Sequence, residues 1–254
     1  MSKSYLCYIL PGEDQGSHVH EGEDEAVYLI DGKLEVRIGE LQFTMQEGES
    51  YFIPRNMLHR VRNTGEAGAR MLVVYTPGNF TDVVPCGEEG GRSPIYKRPL
   101  HKKEPESFLF FGVPKTVHLS GIETGNELSL FEAHMAAGCD SGLHVHANED
   151  EVVYVLEGEL ELTIGDGPLT LKAGGSHFIP RNTPHRLYNK KTKAARVLLL
   201  NTPGTLDPFI RMAGTKMQDL KENAYPSPEQ IGPIMLLSEE YDFHMLIPPG
   251  SGIS

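Results

Sequence analysis

The feature that most restricts how this chain can fold is that it repeats itself. The stretch Gly12-Glu-Asp-Gln-Gly-Ser-His18-Val-His20 returns as Gly138-Cys-Asp-Ser-Gly-Leu-His144-Val-His146, an offset of 126 residues. The same shift carries Glu25 to Glu151, Gly32 to Gly158, Gly48 to Gly174, Pro54 to Pro180, His59 to His185, Asn63 to Asn189 and Thr76-Pro77-Gly78 to Thr202-Pro203-Gly204. No net insertion or deletion separates the copies. A period this long describes a duplicated domain and not the stacked unit of a solenoid, whose period is about 20–50 residues. A chain of 254 residues holds two such domains, each large enough to bury a core.

Within each copy short apolar runs alternate with polar positions and are separated by Gly, Asn or Pro. Val27 and Leu29 alternate with Tyr28 and Ile30; Leu34, Val36 and Ile38 follow, then Phe52-Ile53, then Met71 to Tyr75. Such runs read as antiparallel strands. Gly39-Glu40 and Gly165-Asp166-Gly167-Pro168 read as hairpin turns. The expected fold class is all-β, with two tandem jelly-roll barrels. We expect an N-terminal barrel over 1–83, a linker over 84–106, a C-terminal barrel over 107–209 and a tail over 210–254.

Residues 107 to 126 precede the second copy and have no counterpart before the first, so the first barrel is expected to lack its opening strands. An edge left in that way needs a cover. In the tail, Ser227 as cap, Pro228 at the first helical position and Gln230 in a capping box predict a short helix limited by Gly232-Pro233. Tyr241 and His244 are placed where the tail would fold over a barrel mouth as a lid.

Composition removes several function classes. With 39% hydrophobic and 23% charged residues the chain is not disordered. A net charge of -12 opposes a phosphate backbone or an anionic membrane surface as partner, so neither nucleic acid nor membrane is expected. The basic cluster Lys97-Arg98 with His101-Lys102-Lys103, between Pro99 and Pro105, reads as solvated linker. No apolar run is long enough to span a bilayer, and the start of the chain is broken too early by Pro11-Gly12 to serve as a secretory signal. Cys7, Cys86 and Cys139 form no framework of disulfides. The expected location is cytoplasmic.

Chemistry enters with the histidines. Residues i and i+2 of a strand share a face, so His18 with His20, and His144 with His146, each present two imidazoles on one side. Glu25 and His59, and in the second copy Glu151 and His185, are spaced to add a carboxylate and a third imidazole. Such a set suits a divalent first-row metal. The pattern G-x5-H-x-H-x4-E-x6-G, followed by the Gly and Pro that precede the last His and by Asn, resembles the two-part signature of the cupin superfamily. It is met twice, over about residues 5–83 and 107–209, so the chain looks like a bicupin. Asn56 and Asn182 depart from the Gly common at that point, and Asn also tolerates a left-handed backbone.

The resemblance implies metal ligands His18, His20, Glu25 and His59 in one barrel and His144, His146, Glu151 and His185 in the other. Fe(II) is the first expectation for the metal, with Mn(II), Ni(II), Co(II), Cu(II) and Zn(II) also compatible. Glu25 and Glu151 are the candidate catalytic bases. The Phe-Ile-Pro-Arg-Asn run, the Thr-Pro-Gly and the tail Tyr241 to Pro249 look similar to quercetin 2,3-dioxygenase-like bicupins. They imply a dioxygenase that cleaves a carbon–carbon bond of an enolisable or hydroxylated aromatic small molecule. A non-oxidative isomerase or decarboxylase and a small-molecule or sugar-binding protein are the alternatives. The expected partners are a small-molecule substrate, dioxygen and a second copy in a homodimer.

Parity points Val27, Leu29 and Val61, and Val153, Val155 and Leu187, into the barrels, as pocket wall or ordinary core. No inward Arg marks an anionic substrate. The copies differ at Tyr8 and His134, Tyr51 and His177, Ser17 and Leu143, Glu21 and Ala147, and Met57-Leu58 and Thr183-Pro184; His134 and His177 are candidate proton carriers. Arg55 and Arg181, beside the Pro, are expected to be structural, binding carbonyls or a carboxylate.

Overall fold

A computed structural model describes residues 3–78, 83–85, 105–165, 167–219 and 228–247. The basic cluster at 97–103, Cys86 and Ser227 lie outside the described residues. The chain divides into two compact units, 1–103 and 104–254.

The first unit contains β1 (Lys3–Ile9), β2 (His18–His20), β3 (Asp24–Asp31), β4 (Lys33–Ile38), β5 (Leu41–Gln46), β6 (Ser50–Ile53), β7 (His59–Arg62), β8 (Ala69–Thr76) and β9 (Val83–Pro85). They form two antiparallel sheets, ordered β1-β8-β3-β6 and β5-β4-β7-β2-β9. The alternation read from the sequence is the alternation of burial. Leu34, Val36 and Ile38 of β4 are fully buried while Lys33, Glu35 and Arg37 are not. The inward row joins Val27, Leu29 and Met45 in one core.

The second unit contains β10 (Glu106–Phe110), β11 (Val113–Leu119), α1 (Gly121–Thr124), β12 (Ser129–Met135), β13 (Leu143–His146), β14 (Asp150–Glu157), β15 (Glu159–Ile164), β16 (Gly167–Lys172), β17 (Ser176–Ile179), β18 (His185–Tyr188), β19 (Ala195–Thr202), α2 (Asp207–Ala213), β20 (Thr215–Lys216), α3 (Pro228–Glu240) and β21 (Phe243–Ile247). Its sheets run β17-β14-β19-β12-β11-β10-β20 and β16-β15-β18-β13-β21.

The repeat is legible strand by strand, since β1, β3 and β8 map onto β12, β14 and β19 under the same 126-residue shift. Even the register irregularity at Leu29/Asp31 recurs at Val155/Glu157. Gly32 and Gly158, which follow that irregularity, adopt φ of 89° and 81°. A Cβ there would come within 2.8 Å of Ala69 Cβ and of the Ala194 carbonyl oxygen respectively. Both backbone conformation and close approach therefore require glycine.

The hairpin turns fall where expected, with Ile38 opposite Leu41 and Ile164 opposite Gly167. Among the described residues β1 is an edge strand, whereas its counterpart β12 is covered by β11 and then β10.

The tail corrects two expectations. α3 does not stop at Gly232-Pro233 but continues to Glu240. Ile234, Leu237 and Tyr241 pack on the core of the second unit at helical spacing, and this burial outweighs the amide bond that Pro233 cannot make. β21 is no lid. It pairs antiparallel with β13, His144 opposite Met245 and His146 opposite Phe243, and extends the sheet. Tyr241 stacks on Phe209 with ring centroids 5.6 Å apart, and the half-exposed His244 lies 3.7 Å from Glu239.

Candidate metal centres

The eight expected ligands gather into two groups of four, one in each barrel. The ligand atoms of His18, His20, Glu25 and His59 all lie within 4.8 Å of one another, and so do those of His144, His146, Glu151 and His185. The local reasons are the same in both. The paired histidines stand on the short β2 and β13. The third histidine opens β7 or β18 directly across from the first, His18 opposite His59 and His144 opposite His185. The glutamate comes from the other sheet, at the start of β3 or β14. The ring-centroid separations nearly superimpose: 5.1, 4.1 and 5.2 Å in the first unit, 5.1, 4.2 and 5.1 Å in the second.

Backbone carbonyls orient the rings. Gly16 and Met57 oxygens lie 3.1 and 2.9 Å from Nδ1 of His18 and His59, and Gly142 and Thr183 oxygens 3.0 and 2.9 Å from Nδ1 of His144 and His185. A carbonyl holds the proton on Nδ1 and leaves Nε2 bare to ligate. Asn56 and Asn182 do take the left-handed conformation, φ 63° and 62°. Their backbone N–H groups donate to the carbonyls of His20 and His146 at 2.7 and 2.8 Å, which clamps the ligand strand.

The donor set fits a metal ion. Glu25 Oε2, His59 Nε2, Glu151 Oε2 and His185 Nε2 are buried without a well-aligned hydrogen-bond partner among the described residues. They face one another at 3.1 and 2.9 Å, Glu25 to His59 and Glu151 to His185. Buried polar atoms in that state are costly unless something satisfies them, and a cation suits carboxylate and imidazole lone pairs facing one another.

Electrostatics agree with that reading. Burial pushes the Glu25 carboxyl up, but His20 and His59 beside it outweigh burial and hold it at about 2. Glu151 is likewise lowered, burial being overcome by His185 and the other imidazoles. Both carboxylates are thus charged. Burial, with the charge of the neighbouring imidazoles, keeps His144 well below an ordinary histidine, and His18 is lowered for the same reasons. His59 goes the other way. Burial lowers it, yet Glu25 and the Met57 carbonyl raise it further.

A pH dependence follows. Protons compete with metal for neutral imidazole, so affinity falls as pH drops through the ligand's own titration. The first centre, with its raised His59, is expected to release metal at a higher pH than the second. Metal content of the His144→Ala and His18→Ala proteins measured from about pH 8 to 5 checks this; release in the reverse order would contradict it.

Around the ligands, the triplets Glu23-Asp24-Glu25 and Glu149-Asp150-Glu151 divide their work by parity. Glu25 and Glu151 point to the centre. Asp24 and Asp150 point away and receive Arg55 and Arg181, guanidinium Nη2 to carboxylate 2.7 and 2.9 Å, with the arginine backbone N–H donating to the same carboxylate. The arginines are therefore structural and pin the turn that carries the last histidine. Glu149 lies behind the second centre. Its Oε1 accepts from Thr205 Oγ1 and Leu206 N–H, and its Oε2 sits 3.7 Å from His146 Nδ1. Glu149 was not singled out by sequence reasoning, although the repeated acidic triplet carried the signal.

A small cavity opens on the second centre, lined by His144, His146, Glu151, Leu187, Leu199 and Asn201 together with Lys115 and its neighbours. Of the inward apolar positions named from parity, Leu187 reaches this cavity, while Val153 and Val155, like Val27, Leu29 and Val61, are buried barrel core. His134 is exposed on β12, and neither it nor the partly buried His177 lines the cavity. The Asn201 and Tyr75 pair, equivalent under the shift, was overlooked; the Tyr75 ring lies 5.1 Å from His20, and burial raises its hydroxyl pKa.

Comparison with known proteins agrees with the geometry. The family described as "Cupin domain" matches residues 5–75 and 131–201. Quercetin 2,3-dioxygenase of Bacillus subtilis is 30% identical over 133 residues, 51% of this chain and 38% of that protein. Polyketide synthase CurC of Streptomyces cyaneus is 36% identical over 72 residues, 28% of this chain and 47% of that protein. The chain thus spans about half or less of the length of these two relatives. An oxalate decarboxylase structure from Bacillus subtilis superposes with TM-score 0.65 at 17% identity, covering 80% of this chain and 69% of that one, which speaks for the fold. With both copies matched and both folded as barrels around like clusters, the chain belongs to the cupin family and is a bicupin.

Proposed function

We propose that this bicupin is a metal-dependent oxygenase, a dioxygenase that cleaves a carbon–carbon bond of an enolisable or hydroxylated aromatic small molecule. The observation that carries the reading is the pair of buried three-histidine, one-glutamate clusters, each with ligand atoms converging within 4.8 Å as a cation requires. The partial likeness to quercetin 2,3-dioxygenase supports the reaction class. His18, His20, Glu25 and His59, and His144, His146, Glu151 and His185, would hold the metal, with Fe(II) the first choice. A bound divalent metal supplies Lewis acidity and a site where substrate and dioxygen meet. Glu151, and Glu25 in the first barrel, accept the proton of the substrate hydroxyl. Leu187 and Leu199 keep water from that carboxylate in the second barrel.

Oxygen uptake by protein loaded separately with Fe(II), Mn(II), Ni(II) and Cu(II), offered flavonols, catechols and β-diketones, tests the proposal. Uptake that needs both metal and organic substrate, and is lost in His144→Ala or His18→Ala, is expected. Metal-loaded protein that converts a panel compound without consuming oxygen would overturn it in favour of an isomerase or decarboxylase, and ligand binding that survives loss of metal in Glu151→Gln would favour a binding protein. A cytoplasmic site of action accords with Cys7 and Cys139 as free thiols and with no described helix long and apolar enough to cross a membrane. A homodimer is supported by the edge strand β1, on which Leu6 and Tyr8 are exposed; light scattering giving a monomer mass would contradict it.

A further inference from the structure

Lysine is among the residues least often buried, and where its head enters a barrel it needs a partner. On β11 the inward row reads Val113, Lys115, Val117, since alternate residues of a strand share a face. Val113 and Val117 are both buried in the core of the second unit. Lys115 stands between them in the position of a third core residue, opposite Ala133 of β12. It is only partly buried, and its side chain lines the cavity at the second centre together with His144, His146 and Glu151.

Among the described residues no carboxylate lies within ion-pair distance of its ammonium, whose recorded contact is the Phe110 ring, 5.0 Å from nitrogen to centroid. That contact steadies the head without neutralising it. The Asn201 side chain supplies a neutral polar group on the same cavity. In the first unit the picture differs. β1 is an edge strand there, so no strand among the described residues occupies the position of β11, and Tyr75 and Cys7 stand where the second unit has Asn201 and Ala133.

We infer that Lys115 makes the second centre a site for small anionic substrates, its ammonium holding a carboxylate or enolate oxygen beside the metal that the cluster would hold. This rests on the reading of the clusters as metal centres. The cation is a lysine on a strand outside the repeated segment, so neither the search for an inward Arg nor comparison of the copies reaches it.

The test uses full-length His18→Ala protein loaded with Co(II), so that visible absorption reports the second centre alone. It is titrated with glycolate and with glycolamide, its uncharged analogue, with and without Lys115→Met or Lys115→Arg. Met keeps the length of the stem and removes the charge. The expected result is that Lys115→Met weakens glycolate binding about tenfold or more, leaves glycolamide within about twofold, and that Lys115→Arg restores most of the affinity, as for one charge-assisted hydrogen bond. Equal glycolate affinity in the parent and Lys115→Met proteins, both carrying cobalt with the same spectrum, would overturn the role of Lys115 and leave the metal centre standing. Equal weakening of glycolate and glycolamide would overturn it too, as a loss of shape and not of charge. Failure of the parent protein to take up cobalt would overturn the metal reading itself, and the inference with it.

Discussion

Replacing Phe209 with alanine is expected to cost the second unit about 3–5 kcal/mol, as for a large aromatic removed from a closed core. The ring is fully buried and stands against three others, with centroids 5.2 Å from Phe110, 5.4 Å from Phe243 and 5.6 Å from Tyr241. It joins α2 to β10, β21 and the residue after α3, so its loss leaves a cavity that several elements must share. The first unit has its own core, to which Phe209 does not belong. Denaturant unfolding is therefore expected to show an earlier transition for the second unit and an unchanged one for the first. Leu236→Ala, on the exposed side of α3 at 75% exposure, is the control and should change stability by no more than about 0.5 kcal/mol. Equal effects of the two substitutions would contradict this description of the core.

Deleting the chain from Pro226 onward is expected to remove the second metal centre while sparing the first. β21 is the strand beside β13, and the Phe243 ring packs against two ligands, with centroids 5.0 Å from His144 and 5.3 Å from His146. Without it the edge of the ligand strand faces water, and the rings lose the wall that fixes their orientation. The backbone N–H of Ala147 also donates to the Asp242 carbonyl at 2.8 Å, a bond that would go with the tail. Metal content should fall by about half, with the remaining ion lost on further His18→Ala substitution. A truncated protein that keeps the metal content of the full chain would contradict the role assigned to β21. In the first unit β9 stands in the same relation to β2, His18 opposite Pro85 and His20 opposite Val83.

What the sequence made legible was whatever the duplication wrote twice. The strands, the hairpin turns, the left-handed Asn56 and Asn182 and both four-residue clusters recur at one spacing, and a spacing held over a whole domain leaves little freedom to place them. Asn63 and Asn189 belong to this class, each fully buried with its amide nitrogen donating to two backbone carbonyls. What was misread lies outside the repeat or depends on packing across it. The signal of Gly232-Pro233 is local, whereas the contacts of Ile234 and Leu237 that sustain the helix to Glu240 are not. The tail reads as a lid because nothing in Phe243-His-Met-Leu-Ile says that it will join β13. His134 stands out in the sequence because it is a histidine where the first copy has Tyr8, but strand parity relative to the buried Ala133 and Met135 puts it outside. Lys115 was invisible because pairing β11 with β12 is a tertiary fact.

The central claim, that both barrels hold a metal, is tested most directly by counting metal ions per chain after loading and desalting. The account predicts about two in the unaltered protein, about one in His18→Ala and in His144→Ala, and close to none when both are combined. A count of one in the unaltered protein that a single one of these substitutions abolishes, the other leaving it untouched, would contradict it.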